Sequence, residues 1–129
     1  MPIQIQWDDD QHTVLVQIYQ GDWTLPEYLD VIGKTYDLIE ALDHPVDLIA
    51  DLRNSGKVPV QLMSAKTYAE HKISSRQRLL VLAGADSFLK TMGIVASRLT
   101  PHLTRNLHFV KCVDEARQYI AQYRARNPV

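Results

Sequence analysis

The chain holds a single cysteine, Cys112, and that scarcity excludes two structural classes. No disulfide can close within the chain, and no cysteine cluster can hold a metal. One lone thiol fits a reducing compartment, so a cytoplasmic location is expected. Neither sign of charge is in excess: 14 basic and 15 acidic residues leave a formal net charge of −1. A nucleic-acid binder normally carries a basic surplus, so no nucleic-acid partner is expected. The densest basic stretch, HKISSRQR, has no interleaved aromatics and reads as a solvated loop. No window approaches the roughly 18 apolar residues of a membrane span. MPIQIQWDDD has neither the basic start nor the apolar centre of a signal peptide.

Motifs of catalysis are equally sparse. There is no Gly-x-x-x-x-Gly-Lys-Ser/Thr, which excludes a phosphate loop. His12, His44, His71, His102 and His108 show no i, i+2 or i, i+4 spacing, so no local metal pair exists and they read as loop residues. Cys112 has Lys111 beside it but no marked base, and reads as a small buried residue. No metal and no cofactor is expected.

What is present is a regular alternation of apolar patterns. The chain has 129 residues, 46% of them hydrophobic, enough for one packed domain over 1–129. IQIQW alternates with period two, as does TVLVQIYQG with Val14, Val16 and Ile18 on one face; around DDDQH they read as a hairpin. DWTLPEYLDVIGKTYDLIEALDHP changes to helical period, with Leu25, Leu29, Ile32, Tyr36 and Ile39 on one face. Thr24 suits its N-cap, Pro26 and Glu27 its first turn, and Pro45 forbids continuation. VDLIADL is apolar on both faces, as a buried parallel strand is. VPVQLMSAKTYAEHK reads as a second helix and RLLVLAG as a buried strand. ADSFLKTMGIVASRL is a helix opened by Asp86 or Ser87, with Gly93, Ala96 and Ser97 forming a narrow flank. LHFVKC is a fifth strand. VDEARQYIAQYRAR closes the chain as a helix with Val113, Ala116, Ile120 and Tyr123 inward. The order β-β-α-β-α-β-α-β-α predicts an α/β fold: a mixed sheet of about five strands, with one antiparallel partner and helices packed on it.

The opening hairpin, YQGDWT leading into the first helix, DLIADL ending on an aspartate, and FVKCVDEARQYI as last strand into last helix together resemble the STAS family. These are the sulphate-transporter and anti-sigma-factor-antagonist domains, and the pattern is similar to the small bacterial SpoIIAA-like members. The resemblance spans nearly the whole chain. It implies a non-enzymatic regulatory protein that binds partner proteins or small ligands, often switched by phosphorylation of a serine at the start of the second helix. Asp51 matches the aspartate that ends the family's third strand. The family's Asp-Ser pair would fall near Pro59 and Val60, neither of which accepts a phosphate. Any phosphorylation is therefore expected at Ser55.

Asp51, Arg53, Asn54, Ser55, Gly56 and Lys57 leave the third strand where ligands usually meet a parallel sheet. They read as a polar recognition turn, with Asp51 accepting amide bonds that hold it and Arg53 and Lys57 directed outward. Gly84 and Asp86 leave the next strand and complete the predicted surface, a shallow groove if the two loops converge. The favoured function is a non-catalytic protein-interaction module with an unidentified protein partner. A small-ligand pocket, apolar or anionic, is the alternative; an enzyme using Asp51 or Asp86 ranks below both, since no second group is poised beside either. A homodimer is left open.

Overall fold

The computed structural model describes residues 2–57, 59, 74–86, 90 and 106–127. Five strands form one sheet in sequence order: β1 (Ile3–Trp7), β2 (Val14–Gly21), β3 (Val46–Ser55), β4 (Gln77–Ala83) and β5 (Leu107–Val110). β1 pairs antiparallel with β2, and every later neighbour pairs parallel. Helix α1 (Leu25–Glu40) lies on one face and the C-terminal helix α2 (Val113–Arg126) on the other. The chain is thus an α/β protein with a mixed five-stranded sheet. Apart from Pro59, Ala85, Asp86 and Lys90, the expected helices over 58–72 and 85–99 lie outside the described residues, as does the small-residue flank at Gly93, Ala96 and Ser97. Of the later one, Lys90 is helical and its amide donates to the Asp86 carbonyl at 2.9 Å.

Period-two alternation carries the two faces. Val14, Val16, Ile49, Leu79, Val81 and Ala83 pack against Val113, Ala116 and Ile120 of α2, the inward stripe read from its sequence, with Tyr123 at its margin. The intervening residues meet α1: Ile3, Tyr19, Trp23, Ala50 and Leu52 surround Val31, and Leu15, Val46 and Leu48 surround Ile39.

The inward face of α1 is rotated from the expected one. Val31, Thr35 and Ile39 are buried, whereas Leu25, Leu29, Ile32 and Tyr36 are only half-buried. The cause is a polar contact within the core. Gln17 Nε2 donates to Thr35 Oγ1 at 2.9 Å, and Tyr19 Oη donates to Gln17 Oε1 at 2.8 Å. Burial pushes the Tyr19 hydroxyl well above its usual pKa, so it remains a donor. A buried glutamine needs such partners, and Thr35 supplies one only if it faces the sheet. At the helix start, Thr24 and Glu27 form a reciprocal capping box, Glu27 N–H to Thr24 Oγ1 and Thr24 N–H to Glu27 Oε1.

Of HKISSRQR, residues 74–78 are described: Ser75 and Arg76 form a turn, with Ser75 exposed, but the stretch is not solvated throughout. Ser74 is buried, and Gln77 and Arg78 belong to β4. Arg78 binds Asp47, which has no exposed surface, through Nε at 3.1 Å and Nη2 at 2.9 Å. Arg124 of α2 reaches the same carboxylate through Nε at 2.9 Å, and the Leu79 amide donates to it at 3.2 Å. A carboxylate cannot be buried without such partners, so these arginines are committed to the fold. The network ties the last turn of α2 to the N-terminal ends of β3 and β4.

Candidate functional site at the C-terminal edge of the sheet

β3 does not end at Asp51. It runs to Ser55, paired there with β2 alone: Asn54 stands opposite Gln20 and Ser55 opposite Gly21. β4 leaves the ladder at Ala83, opposite Asp51. The segment expected as a turn is therefore an extension of the strand with one open edge. That edge explains its polarity: Leu52 still packs into the core, but from Arg53 onward the strand is paired with β2 alone and its residues are half-buried or exposed. A register shift between Ile18 and Gln20 marks an irregularity in the pairing, with Asp51 opposite Ile18 and Asn54 opposite Gln20.

The predicted residues fall into two groups. In the first, Asp51 is buried and grips Arg53. Its Oδ1 accepts from the Arg53 amide at 3.2 Å and from Nε at 2.9 Å, and its Oδ2 accepts from Nη2 at 2.9 Å. The Asp51 side chain is 8% exposed and that of Arg53 48%. The Arg53 side-chain hydrogen bonds hold the Asp51 carboxyl below the usual aspartate range, against the opposing effect of burial. The same pairing raises Arg53, aided by the nearby Cys112 and Asp114 at the start of α2. Asp51 therefore does accept an amide, as expected, but Arg53 is not a loose outward cation.

Gly84 belongs to this group. Its φ is +75°, and a Cβ there would lie 2.3 Å from Arg53 Cγ and 3.0 Å from Arg53 Cα. The Arg53 backbone and side-chain stem pass directly over it, and only glycine permits that approach. Gly84 N–H donates to Val110 O at 2.9 Å, which fixes the end of β4 beside β5. Asp86 follows as an exposed residue. Cys112 is the N-cap of α2 rather than the end of a strand.

The second group faces the β2–α1 junction. Trp23 Nε1 donates to Ser55 Oγ at 2.9 Å. Gly56 N–H donates to Gly21 O at 2.7 Å, and Lys57 N–H to Asp22 Oδ1 at 2.6 Å. A Cβ on Gly56 would lie 2.2 Å from Asp22 Oδ1 and 2.9 Å from Gly21 C. Glycine is needed at 56 for close approach of the neighbouring backbone, not for a left-handed turn. The ends of β3 and β4 thus meet where Arg53 passes over Gly84, whereas Ser55 contacts Trp23 and Gly56 on the β2 side.

Gly21, Asp22 and Trp23 were not among the predicted site residues. Their signal was available in YQGDWT, where a glycine and an aspartate precede a tryptophan at a strand-to-helix junction. Trp23 is buried and stacks on Tyr28 with centroids 5.5 Å apart, which aims its N–H at Ser55. Among the described residues no group of three or more His, Cys, Asp or Glu is arranged to hold a metal. Among them also, no helix is long and apolar enough to cross a membrane.

No family model, curated protein or solved structure matches the chain. The site is therefore argued from its own chemistry.

Proposed function

We propose that the chain is a non-catalytic regulatory module of STAS type. It recognises a protein partner through the exposed run Arg53–Lys57 and the adjoining Gly84 and Asp86. The observation that carries this reading is the mutual commitment of Asp51 and Arg53 beside an exposed strand end. Both Asp51 oxygens are held by Arg53, and the carboxyl is lowered, so it is a poor base and no acid near neutral pH. The result is a half-exposed guanidinium held by Asp51, on a side-chain stem that passes over Gly84, followed by Asn54 and Lys57 in water. Rigid polar groups presented on a strand end favour recognition, because little side-chain freedom is lost on binding.

The strand order supports the same reading. It runs monotonically from β2 to β5, and deep ligand crevices in parallel sheets open where the order reverses. Ser55 is the residue through which phosphorylation would act. Its hydroxyl accepts from Trp23, so a phosphate there would alter the junction of β2 and α1.

The test is partner capture from native cell extract by the immobilised chain, read by quantitative mass spectrometry. Asn54→Asp with Lys57→Glu changes exposed side chains only and should weaken capture of specific partners by about ten-fold, chiefly through association rate. Gln122→Glu, on the exposed side of α2, should leave it unchanged. Equal capture by both folded variants would remove Arg53–Lys57 as the recognition surface.

A further inference from the structure

The other end of the sheet carries a feature that partner recognition at β3 does not use. β1 is an edge strand. Gln20 N–H donates to Pro2 O and Asp8 N–H to Val14 O, at 2.7 and 2.8 Å. In an antiparallel ladder these bonds alternate, so the even residues of β1 spend their backbone groups on β2. Ile3, Ile5 and Trp7 turn theirs outward. Among the described residues nothing pairs with them.

Edge strands of monomeric proteins are usually blunted by a lysine, an internal proline, a bulge or extreme shortness. IQIQW has no charge and no proline, and its pairing with β2 runs from Ile3 to Trp7 without a register shift. Pro2 sits at an even, inward position and does not guard the outer edge. Asp8, at the end of the strand, is neutralised by Arg117 through bonds of 2.9 and 2.7 Å. Ile3 is buried, at 3% exposed, so the accessible length is Ile5 to Trp7, both half-exposed.

We infer that this edge pairs with the same edge of a second copy, antiparallel and about a two-fold axis at Gln6. A second copy is the occupant because an edge without charge, proline or bulge is first of all complementary to itself: those three devices prevent self-pairing, and only the shortness of the accessible edge limits it. In this register Ile5 exchanges backbone hydrogen bonds with Trp7 of the second copy, and Trp7 with its Ile5. The Ile5 and Trp7 side chains meet as cross-strand apolar pairs on the α1 side. Gln6 faces Gln6 across the axis with Cα atoms about 4.5 Å apart, both amides on the side where Gln4 and Gln6 are exposed.

The test is sedimentation velocity of the full chain over about three decades of concentration up to about 1 mM. A monomer–dimer equilibrium is expected. Gln6→Lys and Gln6→Glu each place like charges on the axis and should each raise the dimer Kd by about ten-fold or more. Mixing the two should restore association, since lysine then meets glutamate. Position 6 is exposed, so unchanged circular dichroism and Tm should show that both variants fold. Amide exchange gives a second readout: Ile5 and Trp7 should become protected as concentration rises, with Gln4 and Gln6 protected throughout. A wild type monomeric at every concentration overturns the inference. So does a dimer that is indifferent to charge at position 6, or a mixture that fails to re-associate.

Discussion

Replacing Asp47 by alanine tests whether the buried charge network holds the sheet to α2. Its Oδ1 serves Arg78 Nε and the Leu79 amide, and its Oδ2 serves Arg78 Nη2 and Arg124 Nε. The two arginines differ in what the loss leaves behind. The Arg78 side chain is 16% exposed and that of Arg124 34%. Arg124 keeps Thr13 Oγ1 at 3.1 Å and Thr13 O at 2.9 Å, whereas Arg78 keeps chiefly the face of Tyr123, 5.4 Å from the ring centroid. Removing one partner of a buried ion pair typically costs about 3–5 kcal/mol, because the remaining charge is stranded. The expected loss for Asp47→Ala is in that range, against a total stability of about 5–15 kcal/mol for a domain. Urea unfolding followed by tryptophan fluorescence measures it. A double-mutant cycle of Asp47 with Arg78 should give a coupling of about 2–3 kcal/mol, and the cycle with Arg124 about 1 kcal/mol. A loss below about 1 kcal/mol for Asp47→Ala, or equal couplings, would refute the argument.

Three further outcomes follow from the same reasoning. Ile39→Ala should cost about 3–4 kcal/mol and Ile32→Ala roughly half of that, since Ile39 is fully buried and Ile32 only half; equal costs in urea would place both in the core. Asp51 has a lowered native pKa through its Arg53 bonds, so above about pH 4 its ionised form adds stability, and that contribution is lost as pH falls through the native value. Asp51→Asn should therefore flatten the acid side of the stability–pH curve relative to wild type, with an unaltered slope counting against the pairing. Gly84→Ala forces a side chain into a left-handed backbone and against Arg53; it should cost about 1–3 kcal/mol and bring the same flattening, because Arg53 is pushed off Asp51.

Sequence pattern made the element types legible wherever apolar period matched burial. IQIQW coincides with β1 and VDEARQYIAQYRAR with α2, because each buries a single regular stripe. The inward face of α1 was misread because one of its buried positions is a threonine whose reason to face inward, Gln17, lies 18 residues away. The apolar run VDLIADL stops at Leu52 although β3 runs on to Ser55, because hydrophobicity reports burial, and from Arg53 onward the strand pairs with β2 alone and is half-buried or exposed. HKISSRQR reads as a solvated loop throughout, whereas its last two residues enter β4, because charge marks a solvated face unless an opposite charge is buried nearby. The missing clue stood in VDLIADL: an aspartate inside a run buried on both faces must be paired, and Asp47 is.

β3 therefore carries two aspartates on the α2 face that do different work. Asp47 lies at the N-terminal end of the strand with no exposed surface, and its arginines arrive from β4 and α2. Its removal separates elements that are distant in sequence, so it acts on the fold as a whole. Asp51 lies where the parallel ladder with β4 ends, and its arginine comes from two residues along the same strand. A pair so local cannot tie elements together in the way Asp47 does. What it fixes is the path of Arg53 over Gly84 and the entry to the exposed strand end that follows. A contact that orders one surface side chain and little else is better suited to presenting that side chain than to stabilising the domain. The contrast makes the two sites separable by experiment: loss at Asp47 should appear as a large fall in stability, and loss at Asp51 as a smaller, acid-sensitive one together with weaker capture of the partner proposed above.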